Sequence, residues 1–267
     1  MYAKWNKNSG GGSTTTYFYF AIEKVDAQDG HALNGATVRN YRGSTPELLN
    51  GEDHFAYIVG HNDGNVYPNG LISRAETATV FFRLLKDEVR DGNLLTSNTY
   101  SDVPDDYWAN TAISTMTGLG IVQGHSGTTF DPEAPITRAQ FAAICARFDT
   151  GAGGTTQTFS DISGHWAEEY IRQVAGLGWI KGFDDGTFRP DAYITRAQAM
   201  TMINRVLNRI PEEPDDLLPG TTVWADCNPG DWFYLAVQEA ANSHAFKHKT
   251  GTVSYTHLRA HETRSNL

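Results

Sequence analysis

Three arginines stand where a side chain could bind an anion, at positions Arg74, Arg138 and Arg196. Each follows a Ser or Thr that can cap a helix, so each arginine is expected at a first helical position. A helix amino terminus offers unpaired N–H groups and the positive end of the macrodipole, and a guanidinium adds a forked donor beside them. This combination suits a carboxylate or a phosphate. The alternative is a structural ion pair, with Glu76, Asp102 or Asp161 as the acid.

Three further kinds of residue recur beside these arginines and complete the predicted ligand-binding set. An indole can stack on the flat apolar face of a sugar, but a tryptophan at the base of an apolar stripe can equally belong to the core. The recurring glycines are attributed to turn geometry. The set consists of the capping residues Ser73, Thr137 and Thr195, the tryptophans Trp108, Trp166 and Trp232, and the glycines Gly60, Gly124 and Gly182.

No metal site and no catalytic centre is expected. The Asp-Gly loops at 63–64 and 184–186 lack the alternating acids and closing glutamate of a calcium loop. The histidine pairs 244/248 and 257/261 have four-residue spacing but lack the glutamate of a zinc-protease helix. Motifs for a nucleophile elbow, a P-loop or a dinucleotide site are missing from the sequence. We therefore expect a protein without a cofactor that is not an enzyme.

The composition argues against two classes of partner. The chain has 267 residues, with 21 Lys+Arg against 31 Asp+Glu and a net charge of −10. Nucleic acid and anionic membrane surfaces both need a basic face, so neither is expected as the main partner. No apolar run reaches the ~18–20 residues that cross a bilayer, so membrane insertion is not expected. The first residues do not have the pattern of a signal peptide, which we expect on a longer precursor.

Three segments repeat one another without gaps over their central part. They read GHNDGNVYPNGLISRA from Gly60, GHSGTTFDPEAPITRA from Gly124 and GFDDGTFRPDAYITRA from Gly182. In each, the capping Ser or Thr is followed three positions later by Glu or Gln, which is the capping-box pattern. Apolar residues at helical spacing follow, so three similar helices are predicted. The first is expected to run to Val89, with Phe82 on its buried face.

A second helix is predicted upstream of the loop in the second and third repeats. Residues 101–124 resemble residues 160–182, with an apolar stripe that begins at a tryptophan and glycines that end the helix. The first repeat lacks this helix, but residues 231–244 carry the same stripe. We therefore expect this last helix to contact the first repeat near residues 55–59 and Phe82. The predicted fold is all-α, with three pseudo-threefold helix–loop–helix repeats closed into a ring or spindle.

Composition and repeat pattern divide the chain into segments. The short β-like fragment contains a predicted strand pair at residues 17–38. These residues resemble the opening strands of a collagen-adhesin B-type domain. Residues 253–267 resemble translated adapter sequence, and we assign them no function. The segments are a flexible linker (1–16), the β fragment (17–45), repeat 1 (46–100), repeat 2 (101–158), repeat 3 (159–219), a closing helix that completes repeat 1 (220–250) and a disordered tail (251–267).

The motifs of the repeats resemble those of the S-layer homology domain family. They are Ser101-Asp102 with Trp108-Ala109, Ser160-Asp161 with His165-Trp166-Ala167, Gly182–Pro190, and the three helix starts of ITRA type. The resemblance covers about residues 49–247. It implies an all-helical spindle of three repeats, a monomer, that binds secondary cell-wall polysaccharide bearing pyruvylated sugars. It also implies ligand grooves between neighbouring repeats, with the arginines as contacts.

The resemblance implies one of two roles at the bacterial cell surface or cell wall. The first is the non-covalent attachment end of a larger exported surface protein. The alternative is the anchor module of a truncated cell-surface enzyme that degrades glycans.

The sequence departs from the family pattern in ways that affect the predicted grooves. Gln140 and Gln198 replace the usual glutamate, and Thr128 stands where the other two loops have glycine. We expect the irregular loop to weaken the groove of Arg138. The first repeat also begins without its own SDV…W segment. Each arginine is expected outside the apolar stripe, so its replacement is expected to leave the fold intact.

Overall fold

The regular structure of the chain is mostly helical. The computed structural model describes residues 18–21, 39–42, 45–149, 159–248 and 255–258. Within these ranges the helices are α1 (Arg74–Leu84), α2 (Asp87–Gly92), α3 (Asn110–Gly118), α4 (Arg138–Arg147), α5 (Glu168–Gly176), α6 (Arg196–Val206) and α7 (Tyr234–Ala241), with a 3-10 turn at Pro214–Asp216. Four short strands form two antiparallel pairs, β1 (Phe18–Ala21) with β2 (Arg39–Arg42) and β3 (Ala245–His248) with β4 (Tyr255–Leu258).

Capping boxes begin α1, α4 and α6, as the sequence predicts. In each helix the cap hydroxyl accepts the N–H three residues on, and the side chain of that third residue bonds back to the cap N–H. These reciprocal bonds satisfy two of the donors that a helix start leaves unpaired. The caps are Ser73, Thr137 and Thr195.

The prediction that the first helix continues to Val89 is wrong. Leu85 leaves helical geometry, with φ −61° and ψ 149°, and α2 begins separately at Asp87. The buried face also differs by one position, because Phe81 is fully buried whereas Phe82 is partly exposed.

The helices upstream of the loops are present, but each begins after its tryptophan. The first helical residues are Asn110 in α3, Glu168 in α5 and Tyr234 in α7. Gly120 and Gly178 follow α3 and α5 with φ of 72° and 75°, the left-handed conformation in which helices commonly end. The glycine stops are therefore confirmed, whereas the tryptophans lie outside the helices.

Three isoleucines join the three repeats where α1, α4 and α6 begin. The N–H of Ile72 donates to the carbonyl of Ile194 (3.4 Å), that of Ile194 to Ile136 (3.1 Å), and that of Ile136 back to Ile72 (3.1 Å). The bonds form a closed cycle, and none of the three isoleucines is more than 1% exposed. We call this cycle the isoleucine triangle. It sets the three helix starts side by side.

Helix α7 packs against α6 and contacts the first repeat through its carboxyl end. The N–H groups of Tyr57 and Ile58 both donate to the carbonyl of Ala240, each at 3.0 Å. The N–H of Ala56 donates to the hydroxyl of Ser243 at 2.9 Å. The predicted contact with residues 55–59 is therefore observed, and contact with Phe82 stays a prediction.

The two ends of the chain differ in part from the predictions. Strand β1 lies within the predicted strand pair at 17–38, but its partner β2 lies beyond that range, with Phe18 opposite Arg42. The prediction of a disordered tail from residue 251 is wrong at β4, which pairs with β3. The linker at 1–16 and the rest of the tail lie outside the described residues.

Three aspartates hold the loops of the repeats in the same way. The carboxylate of Asp102 accepts the N–H of Phe130 (2.8 Å) and of Asp131 (2.7 Å). That of Asp161 accepts Phe188 and Arg189, both at 2.7 Å. Asp226, from the segment before α7, accepts Val66 (3.0 Å) and Tyr67 (2.8 Å) in the first repeat.

These aspartates fix a strained residue in each loop. Tyr67, Asp131 and Arg189 have φ of 49°, 56° and 59°, a left-handed conformation that is uncommon for residues other than glycine. Each also precedes a proline, and this position normally favours extended backbone. The two bonds to the carboxylate therefore hold a backbone shape that the loop does not favour by itself.

We predict that Asp226→Ala destabilises the protein although it lies far along the chain from the loop that it binds. Two charge-assisted bonds are lost and the strained Tyr67 is released, so the free energy of unfolding should fall by about 1.5–3 kcal/mol. Urea denaturation followed by circular dichroism measures this change. Asp184→Ala, in an exposed loop, is the matched control and should change stability by less than about 0.5 kcal/mol. Equal stability of the two variants would show that Asp226 does not hold the first loop.

Candidate functional site

Arg74 reaches from the start of α1 into the loop of the second repeat. Its Nε donates to the carbonyl of Phe130 and its Nη2 to the carbonyl of Gln123, both at 2.8 Å. The guanidinium also lies 4.6 Å from the centre of the Phe130 ring, a cation–π distance. The residue is only 8% exposed. The first predicted ligand contact is therefore a buried cation that spans two repeats.

Arg138 makes the same contacts between the second and third repeats. Its Nε donates to the carbonyl of Phe188 (2.7 Å) and its Nη2 to that of Lys181 (3.1 Å). The guanidinium lies over the rings of both Phe183 and Phe188. Burial lowers the pKa of Arg138 to about 10, and the positive charge of Arg189 adds to this effect. The group still carries its charge at neutral pH.

Arg196 connects the third repeat to the first but differs in one contact. Its Nε donates to the carbonyl of Val66 at 3.1 Å, as in the other two junctions. Its Nη1, however, pairs with the carboxylate of Glu76 at 2.8 Å. The structural ion pair that was the alternative for these arginines is therefore present at this junction, while Asp102 and Asp161 bind backbone N–H groups instead.

Two expectations about the arginines need correction. All three are less than 10% exposed and tie neighbouring repeats together, so they are structural as well as candidate ligand contacts. The irregular loop with Thr128 contacts Arg74, not Arg138, because each arginine reaches forward into the next repeat. The carbonyl of Thr128 accepts the N–H of Ser101 at 2.8 Å, as that of Gly186 accepts Ser160, so the irregular loop keeps this contact.

The glycines at positions 60, 124 and 182 are required for space rather than for turn geometry. None of them has a positive φ. A β-carbon on Gly60 would lie 1.9 Å from the Trp224 ring, one on Gly124 would lie 2.5 Å from Tyr100, and one on Gly182 would lie 2.4 Å from Phe159. The aromatic residue stands two positions before the loop-binding aspartate in each case. The same spacing of aromatic residue and aspartate is present in the sequence of all three segments.

The three recurring tryptophans are exposed, so the alternative that placed them in the core is wrong. Trp108 and Trp166 are each 59% exposed and Trp232 is 65% exposed. Because the helices begin two residues later, the apolar stripe starts without the indole. An exposed aromatic side chain at the same place in three repeats is available to stack on a ligand.

Two of the junctions form grooves with matching walls. Groove A has a volume of about 220 Å³ and groove B a volume of about 340 Å³. Each is lined by an arginine from the preceding repeat, a Gly of the loop, a Gln and an Arg of the following helix, and the next tryptophan. These residues are Arg74, Gly124, Gln140, Arg147 and Trp166 in groove A, and Arg138, Gly182, Gln198, Arg205 and Trp232 in groove B.

Comparison with known proteins identifies the family of the segments that contribute these loops. The S-layer homology domain family matches residues 99–142 and 158–200, which contain α3, α5, the loops that follow them and the first residues of α4 and α6. These two segments belong to the S-layer homology domain family. Residues 99–142 contribute the loop wall of groove A, and residues 158–200 that of groove B.

Curated relatives extend the similarity over most of the chain. Cell surface glycoprotein 1 of Acetivibrio thermocellus is 35% identical over 75% of this chain and 9% of its own length. The cellulosome-anchoring protein of the same organism is 34% identical over 73% of this chain and 44% of its own length. An amylopullulanase of Thermoanaerobacterium thermosulfurigenes is 30% identical over 57% of this chain and 8% of its own length. The chain therefore spans less than half the length of these relatives.

The family and these relatives locate the S-layer homology chain at the cell surface or cell wall. Among the helices that the structure describes, none combines the length and apolar character needed to cross a membrane.

We predict that Arg138→Met destabilises the protein, contrary to the expectation from sequence. Methionine keeps much of the apolar stem, but the carbonyls of Phe188 and Lys181 lose a buried donor, which costs about 1–3 kcal/mol. Arg138→Lys keeps the charge but cannot reach both carbonyls with one ammonium, so it should recover only part of the loss. The urea midpoint measures both. Arg189→Met, at an exposed arginine, is the control; a variant of Arg138 as stable as this control would contradict the structural role.

We also predict that Gly124→Ala lowers stability and distorts groove A. The added methyl would meet the carbonyl oxygens of Ser126 and Thr129 at 2.6 Å, and backbone cannot move away as a side chain can. Gly127→Ala is the control in the same loop, because a β-carbon there has no neighbour within 4 Å. Thermal melts of the two variants should differ by several degrees. Equal melting temperatures would rule out the steric explanation.

Proposed function

We propose that this chain anchors a larger surface protein to the bacterial envelope by binding an anionic cell-wall polysaccharide, bearing a carboxylate such as a pyruvate ketal, in grooves A and B. The proposal is carried by the repetition of one set of side chains at two junctions. A buried guanidinium, a second arginine, a glutamine and an exposed indole meet in both grooves. The contacts that stabilise the fold explain why the arginine is buried, but they do not explain why the tryptophan beside it is exposed.

The chemistry of the grooves suits a sugar that carries a carboxylate. A guanidinium has five N–H donors, of which Arg74 uses one on Nε and one on Nη2 for carbonyls. The two backbone bonds hold the planar group in one orientation, so little freedom is lost when an anion binds. His125 in groove A and Lys181 in groove B add basic groups at the same place. The indole offers an apolar face to the sugar ring.

The third junction is proposed to bind an anion more weakly than grooves A and B. Here the acid Glu76 occupies the position of Gln140 and Gln198, and its carboxylate pairs with Arg196. A ligand carboxylate would have to displace that ion pair and would be repelled by Glu76. This order differs from the one expected from the sequence, in which the groove of Arg138 is the weak one.

We further propose that the three repeats close into one ring. Each groove needs this arrangement, because its two walls come from neighbouring repeats. The isoleucine triangle, the forward reach of each arginine and the bonds of Asp226 to the first loop support closure. The capping residues Ser73, Thr137 and Thr195 are proposed to act through the helix starts, since their hydroxyls are used in the capping boxes.

We predict that Trp166→Ala and Trp232→Ala weaken binding to purified wall polysaccharide without loss of stability. Loss of one stacking contact of about 0.5–1.5 kcal/mol lowers affinity about two- to tenfold at that groove. Sedimentation with polysaccharide, before and after mild acid removal of pyruvate, measures the binding. Leu94→Ala is the control, since Leu94 is 50% exposed and is not among the groove residues. Full binding by the Trp166→Ala/Trp232→Ala double variant would contradict the proposal.

Exchange of the acid and the amide provides a second test. Glu76→Gln should strengthen anion binding at the third junction, because glutamine keeps the capping bond but removes the negative charge. Gln140→Glu should weaken groove A for the converse reason. Each change should alter affinity about ten- to a hundredfold at its own junction, the value of one charge-assisted contact. Opposite signs for the two variants support the proposed order, whereas equal effects would contradict it.

A second role is favoured by the similarity to an amylopullulanase. In this alternative the chain is the non-catalytic anchor of a glycan-degrading enzyme. The genomic sequence that encodes the precursor decides between the two roles. A hydrolase domain in the precursor supports the enzyme anchor, and a precursor without one supports the surface-protein anchor. The purified chain itself is expected to release no sugar from starch or cellulose.

A further inference from the structure

A buried polar cluster lies where the closing segment meets the first repeat. His54 of the first repeat faces Glu239 of α7, with Nδ1 at 3.3 Å from Oε1. His244, just after α7, faces the other carboxylate oxygen, with Nε2 at 3.0 Å from Oε2. None of the three residues is more than 5% exposed. The sequence pairs His244 with His248 by spacing, but the fold brings His244 to His54 instead.

The three side chains offer converging metal ligands. One donor atom from each residue lies within 4.8 Å of the others, and this is the only such group of three among the described residues. Two imidazoles and one carboxylate are a ligand set that zinc takes in proteins, with a fourth position left for water.

Both ring nitrogens of His244 face an oxygen atom. Its Nδ1 lies 3.1 Å from the carbonyl of Ala245, while its Nε2 faces the carboxylate. In metal sites the same arrangement is usual: one nitrogen donates to a carbonyl, which orients the ring, and the other binds the metal.

We propose that His54, Glu239 and His244 form a zinc-binding site that fastens the closing segment to the first repeat. The neighbouring cation Arg209 donates to the carbonyls of Asn50 and Asp53 and opposes a further positive charge. A metal that forms strong bonds to nitrogen is therefore favoured over one that binds oxygen by charge alone. Zn²⁺ and Co²⁺ should bind, and Ca²⁺ and Mg²⁺ should not.

Zinc should stabilise the full chain, because the unfolded state does not bring the three ligands together. At a free Zn²⁺ concentration about a hundredfold above the dissociation constant, the melting temperature should rise by about 5–10 °C. Metal is added both to the folded protein and during refolding, since the site is buried. Elemental analysis after gel filtration should then give one zinc per chain.

Variants separate this site from other histidines. Glu239→Gln keeps the shape of the side chain but removes the charged ligand, and His54→Gln removes one imidazole; both should abolish the zinc-dependent rise in melting temperature. Circular dichroism without metal checks that each variant folds. His61→Ala, at an exposed histidine outside both grooves, and the tail variant His257→Ala/His261→Ala are the controls and should keep the full rise.

Two results would overturn the proposal. If the chain binds no zinc above the level of Glu239→Gln, the cluster is a hydrogen-bonded triad in which a proton takes the place of the metal. If zinc binding is lost in the tail variant and kept in His54→Gln, the metal belongs to the tail histidines. A visible absorption band of Co²⁺ that depends on His54 and His244 would support the site independently of stability.

Discussion

The isoleucine triangle is the contact on which the rest of the structure depends. Its three backbone hydrogen bonds join residues from three distant parts of the chain, and each isoleucine stands two positions before the arginine that begins a helix. Because the bonds run in one rotational sense, each arginine N–H meets a carbonyl of the next repeat, namely Ala134, Ala192 or Gly70. Loss of one bond would therefore displace a helix start, a buried guanidinium and a groove wall together.

One consequence is that the contacts between repeats and the proposed ligand binding use the same guanidinium groups. Arg74 and Arg138 hold neighbouring repeats through backbone carbonyls and also line grooves A and B. A buried arginine costs desolvation, and the two carbonyls and the aromatic rings offset it. The arrangement gives a rigid, oriented donor, but it also means that an arginine variant with lost binding is not by itself evidence for a ligand contact. The exposed tryptophans and the Glu/Gln exchange separate the two roles, because they change the groove and leave the bonds between repeats in place.

Much of the helical fold could be predicted from the sequence because its signals are local. A capping box depends on residues within four positions of one another, so the starts of α1, α4 and α6 could be predicted. A glycine that ends a helix depends only on its own backbone conformation, so the ends of α3 and α5 could be predicted as well. The exposure of the tryptophans could not be predicted. An apolar stripe that begins at position 108 has nearly the same periodicity as one that begins at position 110, and only tertiary packing decides between them. Glu76 could be named from the sequence as an acid for one of the arginines, but not as the partner of Arg196. The partners of Asp226 could not be predicted, because they lie in the first repeat, far along the chain. A comparison of the aromatic residue two positions before each aspartate would have found Trp224–Asp226 as the third member of the set.

The three junctions are not equally difficult to form. The first two connect repeats that are adjacent in sequence, whereas the third must bring the first repeat together with α6 and the segment that follows it. Closing this longer loop costs more conformational entropy. The additional contacts are found at this third junction. Arg196 pairs with Glu76, the hydroxyl of Tyr57 donates to Asn204 at 2.6 Å, and Asn204 donates to the carbonyl of Ala236 at 3.0 Å. The acid at position 76 therefore has a physical reason. The junction that costs most to close uses its arginine for an ion pair. At the other two junctions the arginine lies beside a neutral glutamine, where we propose that an anion binds.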